Sequence, residues 1–142
     1  MNDDFFAEFD VTFAELARRA RPGRFEPNAD VFLSADGTSM LVNVELAGAE
    51  PADLRVMVEE RRLYILGRRA DRERDARGSM LLKEIAYGEF AKKIHLPVAV
   101  AFDEASAAYR DGILTIRLPI SENSLLPTHR TEIRMTVRRT AV

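Results

Sequence analysis

Apolar residues recur along this chain with two different periods, and the change from one to the other divides it. Within residues 1–24, Phe5, Phe9, Phe13 and Leu16 repeat at helical spacing with Phe6 and Ala17 beside them. The spacing predicts a short amphipathic helix ending before Pro22 and Gly23. From Asp30 the period becomes two. Val31 and Leu33 open a strand, Asp36-Gly37 marks a turn, and Met40, Val42, Val44 and Leu46 alternate with Leu41, Asn43 and Glu45. After a break at residues 48–51, Leu54, Val56 and Val58 oppose Arg55 and Met57. Leu63 and Ile65 share a face beyond the charged turn at residues 59–61.

The densest signal lies in residues 104–119. Leu114, Ile116 and Leu118 fall on one face of an extended run, with Thr115 and Arg117 on the other, and Asp111-Gly112 turns the chain into it. On the near side of that turn Ser106 and Ala108 share one parity, opposite Ala105, Ala107 and Tyr109. A strand with only small side chains on one face covers its neighbours poorly and leaves a groove. Pro119 ends the run, because proline donates nothing to a ladder. Short strands joined by turns, with no helix between them, predict an all-β antiparallel sandwich.

Three stretches do not fit the alternation. Residues 68–78 hold five arginines and three acids and are expected to form a loop, with the short apolar run Met80, Leu81, Leu82 after it. Lys92 shares its face with Phe90, Ile94 and Leu96, so its ammonium must find a carboxylate or reach a sheet edge. Beyond a linker-like stretch at residues 121–124, Ile133, Met135 and Val137 alternate with Arg134 and Thr136 as a strand without a hairpin partner.

Composition narrows the function. The 142 residues, 46% of them hydrophobic, suffice for one core of about a hundred residues with an arm at each end. A net charge of -2 provides no field for nucleic acid. Zero cysteines exclude disulfides and thiolate metal sites. The start of the chain carries Asp3 and Asp4 rather than a signal peptide, and no apolar run approaches about 18 residues, so a cytoplasmic protein without membrane insertion is expected. The acids Asp3, Asp4, Glu8 and Asp10 also set the Phe-rich helix against anionic lipid. Basic residues gather at Arg18, Arg19, Arg21 and Arg24 and again at Arg130, Arg134, Arg138 and Arg139, which suits either assembly or plain solvation.

Catalytic chemistry has no foothold in the sequence. There is no glycine-rich phosphate loop, Gly-x-Ser-x-Gly elbow or His-Glu-x-x-His helix, and His95 and His129 have no companions at useful spacing. Asp71, Glu73 and Asp75 alternate as carboxylates of a calcium loop do, but the interleaved arginines and the missing downstream glutamate argue against a metal. Neither cofactor nor metal is expected, and the chain does not read as an enzyme.

Four motifs in register resemble the small heat-shock protein family. They are Pro27-Asn28-Ala29-Asp30-Val31; Glu45-Leu46-Ala47-Gly48 with Asp53-Leu54; Tyr87-Gly88-Glu89-Phe90 running to Leu96-Pro97; and Ala-Ser-Ala-x-Tyr-x-Asp-Gly-Ile-Leu-x-Ile-x-Leu-Pro from Ala105 to Pro119. Ala47 departs from the family's usual proline before Gly48. The resemblance implies an immunoglobulin-like α-crystallin domain over residues 25–119, a helical arm over 1–24 and an extended tail over 120–142. It implies an ATP-independent chaperone, a holdase for unfolding client proteins, that forms a dimer by strand exchange and assembles into larger homo-oligomers. On this reading Phe5, Phe6, Phe9, Phe13 and Leu16 bind clients, although such a helix could instead pack on its own domain. Met80, Leu81, Leu82 and Lys92 belong to the dimer interface. Ile133, Met135 and Val137 hold the tail anchor, and Leu54, Val56, Val58, Ser106 and Ala108 line its groove; the same segment could also add an edge strand to its own sheet. A co-chaperone-like sandwich docking on a folded partner is the other reading.

Overall fold

Strand formation follows the alternation closely. The computed structural model describes residues 3–19, 25–71, 78–121 and 130–137. Helix α1 spans Asp3–Arg18. Among the described residues nine strands follow: β1 (Ala29–Leu33), β2 (Ser39–Glu45), β3 (Arg55–Glu59), β4 (Arg62–Arg69), β5 (Gly88–His95), β6 (Ser106–Arg110), β7 (Ile113–Pro119), β8 (Arg130–Ile133) and β9 (Met135–Val137). They form two facing sheets, β1-β2-β7-β6-β9 and β5-β4-β3-β8. Every pairing is antiparallel except the parallel pair β6–β9.

The predicted inner faces meet between the sheets. Met40, Val42, Val44 and Leu46 of the β2 run pack with Leu114, Ile116 and Leu118 of β7, against Val56, Val58, Leu63 and Ile65 of the other sheet. The Asp111-Gly112 turn has positive φ at both residues, 53° and 80°, as the tight turn of a twisted hairpin requires. Gly112 also has no room for a side chain, since an added Cβ would meet the Ala47 Cα at 2.9 Å. Ala47 thus packs on the hairpin turn where the family's proline would stand, and the turn persists through the Ala49 N–H donating to the Leu46 carbonyl.

The turn between β1 and β2 is organised by one carboxylate. Asp36 accepts hydrogen bonds from the Ser34 and Thr38 hydroxyls, each at 2.7 Å, and from the Thr38 backbone N–H at 3.0 Å. The Ser34 hydroxyl leads the three in stabilising the anion, and together they lower the Asp36 pKa from 3.8 to about 2. A depressed folded-state pKa adds stability that is present above about 3.8 and lost as pH falls through about 2. A carboxyl-carbon NMR titration should accordingly find the Asp36 midpoint near 2, and S34A should move it upward.

Four features differ from the sequence-based expectations. Arg68 and Arg69, expected in a loop, end β4, and Arg69 lies 4.1 Å above the Phe25 ring while donating to the Ala86 carbonyl. A guanidinium can serve half-buried positions of this kind because its flat face stacks and its rim donates. Residues 79–87 form no strand, so Met80, Leu81 and Leu82 stand outside the sheets. Helix α1 is not a separate arm here but lies on the outer face of the four-stranded sheet. On β6, Ala107 rather than Ser106 or Ala108 faces the core: Ala107 pairs with inward-facing Ile116, and register across the short turn fixes its parity.

Candidate assembly and client-binding surfaces

The tail occupies both sheets of its own chain. β8 runs antiparallel to β3, pairing Ile133 with Val56, and after Arg134 the chain crosses to the other sheet, where β9 runs parallel to β6. Ile133 is buried in the inner core. Met135 pairs with Ala107 and is half-buried, whereas Val137 is 43% exposed. Burial thus falls from Ile133 through Met135 to Val137, which lies at the margin. Leu54, Val56 and Val58 point into the core that receives Ile133, but Ser106 is exposed and its place in the groove is taken by Ala107. Within this chain β8 and β9 are the outermost strands of their two sheets.

The helix supplies the second surface. Phe9 and Leu16 are buried with Met57 and Leu66, and Phe6, Phe13, Tyr64 and Ala91 pack around them. Phe13 meets Tyr64 edge-on, with ring centroids 5.2 Å apart. The seat is built from the outward positions of β3 and β4: Met57 and Leu66 are off-phase apolar residues that alternation alone assigns to solvent. They were the overlooked signal, because an apolar residue on both faces of one strand needs a cover on both. The side chain of Phe5 falls outside the described residues.

Other apolar side chains remain uncovered. Leu81 is 94% exposed, with Met80, Leu82 and Ile85 exposed nearby. Along the outer edge of β1, Val31, Phe32 and Leu33 are exposed too. Lys92, facing inward opposite Ile65, finds its carboxylate within the chain: its Nζ lies 3.4 Å from Glu26 Oε1. β5 is an edge strand, so the ammonium reaches the rim as well as a partner.

A shallow cleft of about 400 Å³ beside α1 is lined by opposite charges that meet in pairs, Arg68 with Asp53 at 3.6 Å and Arg19 with Glu89 at 4.0 Å. His95 is exposed, and His129, Glu73 and Asp75 lie outside the described residues. Among the described residues no three His, Asp or Glu side chains converge as a metal site requires, and no helix is long and apolar enough to cross a membrane.

Comparison with known proteins agrees with this architecture. The family model for the Hsp20/alpha crystallin family matches residues 34–137. Over 122 residues the chain is 31% identical to an alpha-crystallin of Mycobacterium bovis, covering 85% of this chain and 72% of that protein. It is 29% identical over 124 residues to heat shock protein 16 of Schizosaccharomyces pombe, covering 86% and 85% of the two. Among solved structures, heat shock protein 16.0 from Schizosaccharomyces pombe superposes with a TM-score of 0.67 at 27% identity, over 77% of this chain and 84% of that one. The hspA protein from Xanthomonas axonopodis gives 0.61 at 26% identity, over 68% and 95%. The chain belongs to the Hsp20/alpha crystallin family, the small heat-shock proteins. Its role is that of a chaperone.

Proposed function

We propose that this chain is an ATP-independent holdase of the cytoplasm, which binds partly unfolded proteins through its helical arm and so prevents their aggregation. One observation carries the reading: the apolar face of α1 covers a cluster separate from the inner core. The helix can therefore lift without opening the sandwich, presenting Phe6, Phe9, Phe13 and Leu16 to a client while uncovering Met57 and Leu66. Burying apolar client surface against them yields about 25 cal/mol per Å², less the entropy of ordering the helix and the cost of undocking it. No bond is made or broken, and no nucleotide is needed.

Assembly belongs to the same proposal. The exposed run at Met80, Leu81 and Leu82 is suited to strand exchange with a second copy, and the open β1 edge offers unpaired backbone groups for it. The tail can seat in a neighbour's groove as it seats in its own, linking dimers into larger homo-oligomers. Residues 1–24, 25–119 and 120–142 then act as arm, domain and connector. The test is light scattering from a heat-labile client, without nucleotide, with the full chain and with a variant lacking residues 1–21. Suppression by the full chain and its loss on truncation is the expected result; no suppression at equal mass would overturn the proposal.

A further inference from the structure

One side chain on the outer face of the four-stranded sheet touches elements from opposite ends of the chain. Arg55 Nε lies 3.2 Å from Glu132 Oε1 of β8, and the Arg55 guanidinium carbon lies 5.2 Å from the centroid of the Phe9 ring in α1. Strand parity produces this meeting. Arg55 and Met57 point outward between the inward Val56 and Val58, and Glu132 pairs opposite Met57, one diagonal step from Arg55. Phe9, fully buried, packs in the cluster that contains Met57.

A guanidinium can hold both contacts together, with its edge on a carboxylate and its face toward a ring. Each contact restricts the rotamers available for the other. With β8 in place, the carboxylate helps to hold Arg55 in the position that meets Phe9; when β8 leaves, that restraint on the guanidinium is lost and the contact with the ring weakens. We propose that Arg55 couples the seating of the C-terminal tail to the seating of the N-terminal helix, so that unseating β8 loosens α1. The coupling is reciprocal, since loosening the helix must weaken the tail by the same factor. It applies equally when a neighbouring copy supplies the tail, because the groove carries Arg55 whichever chain fills it. A half-exposed ion pair and one cation–ring contact set its size at roughly two- to fivefold in the opening constant of the helix.

Hydrogen exchange of the amides in residues 9–16 measures that constant in the full-length chain. I133D, which places a carboxylate in the apolar groove, unseats the tail and should raise helix exchange two- to fivefold. In the R55M background the same substitution should produce no further rise, and any effect of altered assembly cancels between the two backgrounds. An equal rise in both backgrounds, or none when Arg55 is present, overturns the proposal. Should R55M fail to fold, E132Q leaves β3 intact and should by itself raise helix exchange about twofold; no rise there is equally decisive. The coupling is argued from the Glu132 and Phe9 contacts and not from client binding, and only its consequence for clients depends on the proposed function, so exchange tests the one and light scattering the other.

Discussion

Replacing Gly67 with alanine should cost about 3 kcal/mol, near the upper end for an overpacked site. Gly67 lies in β4 opposite Phe90, where an added Cβ would stand 2.7 Å from the Asp53 carbonyl oxygen and 2.7 Å from Leu54 Cδ2. The Leu54 methyl can turn aside. The Asp53 oxygen cannot, because it belongs to the backbone of the single 3₁₀ turn that leads into β3. Relief therefore requires β4 and that turn to separate, which disturbs the sheet that carries the helix and receives β8. Thermal unfolding followed by circular dichroism should show a midpoint about 10 °C lower. G48A is the control: it meets no atom within 4 Å, so its cost is limited to the positive φ of 81° and should be about 1 kcal/mol. Equal midpoints for the two variants would contradict the close-approach argument.

Deleting residues 131–142 should have the largest effect on assembly. It removes Ile133 from the inner core and Met135 from beside Ala107, and it leaves the edges of β3 and β6 without their strand partners. If tails link dimers, the mass from light scattering after size-exclusion chromatography should fall to that of a dimer; an unchanged mass would refute the linkage. I133D should behave like the deletion. V137A should leave the mass unchanged, because Val137 lies at the margin of the groove.

Much of the sandwich is legible because a period of two is a geometric constraint on a half-buried strand. Leu114, Ile116 and Leu118 are buried as their alternation requires, and so are Val56 and Val58. What alternation leaves open is the occupant of the other face. Met57 and Leu66 look like ordinary outward positions until α1 is laid across them. The groove residues on β6 are misplaced by one for a different reason: small side chains carry little parity signal, and only counting back through the Asp111-Gly112 turn from Ile116 assigns Ala107 to the interior. Arg69 is hidden by composition, since a run of charges reads as loop even when one of them stacks on Phe25. The carboxylate for Lys92 is illegible because Glu26 is 66 positions away.

If the tail can also seat in a neighbouring copy, its seating in its own chain makes assembly a contest between closing a ring and extending a chain. Ile133 and Met135 belong to the same chain as the strands they pair with, β3 and β6, and follow Pro119 by only 14 and 16 positions in sequence. A short tether supplies an effective concentration in the millimolar range. A neighbour's tail competes only when protein concentration, or avidity from several subunits linking at once, approaches that value. Dilution then favours closed single units, and accumulation favours linked ones, without any change in the groove itself. Linker length would then be the adjustable quantity: lengthening the sequence between Ser121 and Arg130 should lower the local concentration and shift the balance toward linkage.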